Sequence, residues 1–389
     1  MKIKRLKIVI ALVSFLQILT VNAQKNYSIE GFITGIKDST LISLGRNDGN
    51  LISTIATDTV IGGKFRFSGK IDHAEAFMIL GRGPGFPSMW LDVWVAPNTT
   101  VKISGSDKFL KTWKVESPIK QQKELNLYIE ATKAELNQLQ RLSVSRTAIF
   151  EKLQKASPED RKKAKPGIDS IGRLQDSLSV LMHQKEITLL SNRAISPIWM
   201  DKLNGLAMSV KYTHKDLRQP VIKLYNKLNN AQRESPKGRE IAAYLYPPRV
   251  VKNGEPMADT ALYTLEGKAS SLAQFKGKYL LLDFWSIGCG PCISAMPDLR
   301  KVSEVYKDSL TVISLSVDSK KEIWKKASAQ EKISWVNLSD GNGMAGIAAR
   351  YGVQGIPHYV IISPSGEVLT SWTGFSKGET EEKIKKFIH

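Results

Sequence analysis

A chain of 389 residues exceeds what one hydrophobic core usually organises, so two or three domains are expected. Apolar residues make up 42% and charged residues 24%, the balance of a soluble globular protein. The net charge is +19, or +15 without Lys2, Lys4, Arg5 and Lys7, but the basic residues are scattered rather than gathered with interleaved aromatics, which argues against a nucleic-acid partner.

In chain order, Met1 to Lys7 is basic and Ile8 to Val21 is almost wholly apolar. Val21-Asn22-Ala23 places small residues where a signal peptidase reads them, so residues 1–23 read as a signal peptide and Gln24 as the first mature residue. An uncleaved anchor is the competing reading. Fourteen helical residues span only about 21 Å, short of the roughly 30 Å hydrocarbon core. No cysteine lies near the cleavage point, which excludes a lipid-anchored form. The expected location is therefore the periplasm or cell envelope.

Residues 24–115 read as a β-rich domain. Tyr27 to Ile33, Thr40 to Leu44, Lys64 to Phe67, Ala76 to Leu80, Met89 to Val95 and Thr100 to Ser104 are short β-branched and aromatic runs separated by turn formers. Within Met89 to Val95, strand alternation puts Met89, Leu91, Val93 and Val95 on one face and Trp90, Asp92 and Trp94 on the other. The aliphatic face is expected in the core. The Trp face is expected under the next domain, with ligand binding as its functional alternative.

Residues 116–246 switch to a helical period. Ser117-Pro118 opens a stripe of Leu125, Ile129, Leu136, Leu139 and Leu142. Ser157-Pro158-Glu159-Asp160 reads as a capped start, and Ile171, Leu174, Leu178 and Leu181 follow as a second stripe. The pattern predicts two long helices in a hairpin, then shorter ones around Val221, Leu224 and Leu228. Such stripes are expected to be core, a dimer seam being the alternative. The run Arg161-Lys162-Lys163-Ala164-Lys165 reads as solvated surface, with attraction to anionic envelope surfaces as its functional counterpart.

Tyr246-Pro247-Pro248 and Gly254-Glu255-Pro256 punctuate the chain before a final domain at residues 251–389. Here strands (Leu280 to Trp285, Thr311 to Val317) alternate with helices, and Tyr359 to Ile362 pairs with Glu367 to Trp372 as a hairpin, which predicts an α/β sheet. The fold class expected for the whole chain is multidomain, α+β and α/β: a β-rich domain, a helical insert and a C-terminal α/β domain.

The chain contains two cysteines, in Cys289-Gly290-Pro291-Cys292, between the buried strand Tyr279 to Trp285 and a helix. A Cys-x-x-Cys there is a redox signature. The thiolate is the attacking species, and a helix N-terminus favours an anion. Cys289, at that terminus, is therefore expected to attack, and Cys292, one turn further in, to resolve the mixed disulfide. A zinc site would need two more ligands, and His73, His183, His214, His358 and His389 form no suitable cluster, so neither a metal nor a cofactor is expected.

Asp283-Phe284-Trp285, Cys289-Gly290-Pro291-Cys292, Pro297 and Gly355-Ile356-Pro357 together resemble the thioredoxin active site and its cis-proline loop. Leu265 to Lys278 is similar to the exported TlpA/ResA-type thiol-disulfide oxidoreductases, and the resemblance covers about residues 251–389. It implies that Asp283 is a buried acid exchanging protons with Cys292, that Pro357 is a cis-proline, and that Ile356 and Trp285 meet substrate. It also implies disulfide-containing or reduced protein substrates and an outside electron donor, a membrane thiol reductase. Two positions depart from the family: Gly288 stands where a bulky residue is usual, and His358 where Thr is common; the His358 side chain is expected to face solvent, contact with the thiolate being the alternative.

The function expected is an exported reductase of protein disulfides. An oxidase or isomerase of the same fold is the alternative, and so is a ligand-binding envelope protein with an accessory redox domain. A peroxidase motif fits poorly, because Leu282 occupies its proline position although Ser286 suits the next one.

Overall fold

The computed structural model describes residues 25–47, 52–318 and 320–388; the expected signal peptide lies outside them. Strands β1 (Asn26–Ile33), β2 (Leu41–Asn47), β3 (Ile52–Thr59), β4 (Lys64–Lys70), β5 (Glu75–Arg82), β6 (Leu91–Val95), β7 (Thr99–Gly105) and β8 (Lys114–Glu116) form two four-stranded sheets, β4-β1-β7-β8 and β3-β2-β5-β6. Inward alternation fills the space between them, with Ile29, Ile42, Phe77, Leu91 and Val93 buried together. Strands β3 and β8 are additions to the sequence reading. Both are sheet edges, and β3 buries none of its residues fully, so it lacks the alternation that marks a half-buried strand.

Helices α1 (Lys120–Ala131), α2 (Lys133–Leu153), α3 (Pro158–Ser191), α4 (Pro197–Tyr212), α5 (Arg218–Tyr225), α6 (Asn230–Glu234) and α7 (Pro236–Leu245) follow. Ser157 caps α3 by accepting a hydrogen bond from the Asp160 N–H at 3.1 Å, and α3 runs on through Pro166. Leu125, Ile129, Leu136 and Leu139 are buried as expected. The second stripe is a correction: Leu174 and Leu181 are 53% and 50% exposed. Within α3 only Glu186 and Leu190, near its end, are fully buried, because no third layer among the described residues closes over the upper part of the α2/α3 hairpin.

The last part of the chain contains β9 (Leu262–Tyr263), β10 (Ala269–Ser270), β11 (Tyr279–Trp285), α8 (Gly290–Val305), β12 (Leu310–Ser316), α9 (Lys321–Gln330), β13 (Val336–Leu338), α10 (Ile347–Arg350), β14 (His358–Ile362), β15 (Val368–Thr373) and α11 (Glu379–Ile384). Its five-stranded sheet has the order β13-β12-β11-β14-β15, with β11 parallel to β12 and antiparallel to β14. Central strand β11 is covered on both faces. Leu280, Leu282 and Phe284 pack with Tyr351 and Val360 on one side. Leu281 and Trp285 pack with Cys292 and Met296 of α8 on the other. This alternation sets the site, because it puts Asp283 on the α8 face.

The parts of the chain also touch. Helix α7 packs against the turn at residues 343–345, and Lys320 Nζ donates to the Asn47 carbonyl at 3.2 Å.

Candidate active site

Cys289 is the N-cap of α8, with Gly290 and Pro291 forming the first helical turn. Pro291 has no N–H and needs no partner there. The Cys292 N–H instead points back to Cys289 Sγ at 3.1 Å, and the two sulfurs are joined as a disulfide. Their exposure differs: Cys289 is half-buried among the exposed Gly288, Gly290 and Pro291, whereas Cys292 is 1% exposed. An incoming thiol or disulfide can therefore reach Cys289 Sγ and not Cys292 Sγ.

Beside Cys289 the Ile356–Pro357 peptide bond is cis. The Ile356 carbonyl oxygen lies 3.5 Å from Cys289 Sγ, so backbone borders the reactive sulfur. Ile356 is half-buried and Pro357 buried.

Asp283 is 1% exposed on the α8 face of β11. Burial pushes its carboxyl up from 3.8 to about 7, opposed by one hydrogen bond from Ser314. Ser314 Oγ donates to Asp283 Oδ2 at 2.9 Å, and Trp335 Nε1 donates to Ser314 Oγ at 2.9 Å. Asp283 Oδ1 has no partner among the described residues. A carboxyl that changes charge near neutral pH, on the sheet face that α8 and the buried sulfur cover, has the properties a proton acceptor needs there.

Two expectations are corrected. Trp285 is fully buried, packed in the cluster that holds Cys292, so it backs the disulfide instead of meeting substrate. His358 does not face solvent. It is 6% exposed, its Nδ1 lies 2.7 Å from Thr373 Oγ1, and its ring sits 6.1 Å from Phe284, on the sheet face away from Cys292. Strand period explains this, since His358 and Val360 share a side and Tyr359 and Ile361 take the other. Burial lowers the pKa of His358.

The sequence reading missed the polar residues that support the loop. Ser286 Oγ donates to Asp318 Oδ1 at 2.8 Å and Ser316 Oγ to Oδ2 at 3.0 Å, all three groups being buried. The Val317 N–H bonds the Trp285 carbonyl at 2.9 Å, so the chain after β12 is fastened to the start of the cysteine loop. A serine at the end of each strand was the available signal, and it is weak because serine is common in loops.

The Trp face of β6 behaves as two parts. Trp94 packs against the helical cluster, whereas Trp90 stays 37% exposed at the mouth of a cleft of about 890 Å³ between the sheet and α1 to α4. Two ion pairs form in the cleft: Lys111 Nζ meets Asp92 Oδ2 at 2.6 Å, and Lys202 Nζ meets Glu186 Oε1 at 2.6 Å. Domain packing accounts for the Trp94 part of this face.

Residues 252–388 match the family model described as Redoxin. The chain is 31% identical over 135 residues to the thioredoxin-like protein YneN of Bacillus subtilis, which covers 34% of this chain and 79% of that protein. It is 32% identical over 124 residues to the thiol-disulfide oxidoreductase ResA of Bacillus thuringiensis subsp. konkukian, covering 31% of this chain and 70% of that one. Among solved structures, the thioredoxin domain of a thiol-disulfide oxidoreductase from Bacteroides vulgatus aligns with TM-score 0.34 and 28% identity, covering 36% of this chain and 99% of that one.

Proposed function

The chain belongs to the thioredoxin-like thiol-disulfide oxidoreductases, and we propose that it works in the cell envelope as a reductase of protein disulfides. The observation that carries the cycle is the asymmetry of the two sulfurs, one reachable and one buried on the same face as an acid titrating near 7.

In the reduced state the Cys289 thiolate, favoured at the N-terminus of α8, attacks one sulfur of a substrate disulfide. A mixed disulfide forms and one substrate thiolate leaves. Cys292 then gives its proton to Asp283 and attacks Cys289 Sγ. The second substrate thiolate departs with the electron pair of the broken bond, and the Cys289–Cys292 disulfide remains. The substrate has gained two electrons. An outside dithiol, for which a membrane thiol reductase is the fitting class, must return them. The backbone around cis Ile356–Pro357, which borders Cys289, suits an extended substrate segment laid alongside as an added strand.

Export rests on the basic and apolar residues of 1–23. In an oxidising compartment no cytosolic thiol pool keeps the pair reduced, hence the need for a donor. Residues 24–245 are read as restricting access. The support is that α7 packs on the 343–345 turn, and that a crevice there is lined by both Tyr244 and Val317, whose backbone is fastened to Trp285. Dimerisation through the α2/α3 hairpin is supported by its exposed leucines.

Trapping tests the cycle. Cys292→Ser should accumulate a mixed disulfide through Cys289 with a model protein disulfide, and Cys289→Ser should accumulate none. Equal trapping by both variants would exclude the assigned roles.

A further inference from the structure

Asp283 has two oxygens in different situations, and the difference traces to residues outside the cysteine motif. Oδ2 accepts from Ser314 Oγ, while Oδ1 is buried with no partner among the described residues. Ser314 lies directly opposite Asp283 in the β11/β12 register, and its hydroxyl also accepts from Trp335 Nε1. A hydroxyl has one proton to give. Because the indole N–H occupies an acceptor position of Oγ, and a ring N–H can only donate, the Ser314 proton is directed at Asp283. Trp335 is held in turn from α8: the Arg300 guanidinium lies 5.4 Å from its ring, and Arg300 Nη1 and Nη2 donate to the Lys332 and Glu331 carbonyls at 2.8 and 2.9 Å.

We infer that Trp335 and Ser314 form a hydrogen-bonded relay of positioning residues that reserves Oδ1 of Asp283 for the Cys292 proton and favours the proton-accepting carboxylate against the burial that opposes it. The inference rests on the reading of Asp283 as the acceptor for Cys292. Hydrogen bonding to the ionised form favours that form, and chained bonds polarise one another. No charged side chain contributes to the shift of Asp283, which has only burial and Ser314 as its causes. Across the β11/β14 ladder Asp283 faces Tyr359, and α8, which carries Cys292 and Asp298, covers the same face of the sheet; Asp298 and Glu379 of α11 act on Tyr359 and not on Asp283. In such a site one neutral donor decides how much carboxylate is present at neutral pH.

The test uses the full mature chain, reduced and mixed with dithiobis(nitrobenzoate). Attack by Cys289 releases one thionitrobenzoate. Attack by Cys292 on Cys289 Sγ then releases the second, and the rate of that second phase is followed against pH. Ser314→Ala should move the acid limb of the second phase upward by about one pH unit, the loss of one hydrogen bond to a charged group. Trp335→Phe keeps a ring under Arg300 and removes the N–H; it should move the limb the same way by less, and should add nothing in the Ser314→Ala background. Asp283→Asn separates the two levels of the argument. If the limb persists unchanged in Asp283→Asn, Asp283 is not the acceptor. If Asp283→Asn abolishes it while Ser314→Ala and Trp335→Phe superimpose on the native profile, the relay alone is overturned. Should Ser314→Ala fail to fold, Trp335→Phe decides, and an unshifted limb overturns the relay.

Discussion

Asp283 and Tyr359 are direct cross-strand partners in the β11/β14 ladder, and both side chains point into the α8 side of the sheet. Tyr359 is fully buried, its ring stacks on Trp372 at 5.0 Å, and its hydroxyl has no partner among the described residues. Burial first, and the Asp283 charge second, push the Tyr359 phenol up. On the α8 side of the sheet the protein thus buries an acid and a phenol side by side. The acid is the one that titrates within the physiological range.

That arrangement has a stability consequence. The unfolded chain ionises Asp283 as pH rises through 3.8, but the folded chain holds the proton to about 7. Stability contributed by the neutral carboxyl is therefore lost across this window and is flat above it, with a ceiling of about 4 kcal/mol. His358 acts in the opposite sense below 6.5, because the unfolded imidazole takes up a proton first. Denaturant melts of oxidised native protein and Asp283→Asn, compared between pH 4 and 8, remove the His358 contribution by difference. The variant should gain on the native protein as pH rises to 7; a difference independent of pH would contradict a buried, neutral Asp283.

Leu174 and Leu181 are seven residues apart on α3, so they lie on one helical face, and both are half in solvent. If that face is a seam between two copies, Leu174→Asp with Leu181→Asp should turn a sedimenting dimer into a monomer without lowering the melting temperature. A native chain that sediments as a monomer at high concentration would end the idea.

Restricted access predicts a size dependence. Residues 251–389 expressed alone should reduce bulky protein disulfides several-fold faster than the mature chain, while small disulfides react equally with both. Equal rates on bulky substrates would mean that residues 24–245 do something other than guard Cys289.

The legible part of the sequence was the part carried by period and by motif. Leu280 to Trp285 reads as a doubly buried strand because Asp283 is the one polar residue in its apolar run, and the Cys289/Cys292 pair marks the helix start. What escaped reading was decided by neighbours far along the chain. Ser314 is ordinary until β12 lies beside β11 in the register that sets it opposite Asp283. Trp335 gains its place only when the chain returns alongside Ser314. Leu174 and Leu181 carry a core-like spacing, but among the described residues no third helix covers them. Trp285 stands in an active-site motif, yet strand alternation turns it inward, a direction that the motif itself does not contain. Strand β3 is mostly polar because it is an edge, and polarity alone does not separate an edge strand from a loop.

The central claim, a reductase built on Cys289-Gly290-Pro291-Cys292, is tested most directly by the equilibrium reduction potential of that pair in the mature protein, measured by thiol trapping in defined redox buffers. The account predicts a value near or below about −250 mV, in the range of thioredoxin's Gly-Pro site. A value near about −120 mV would make the pair a donor of disulfides and contradict the proposed direction.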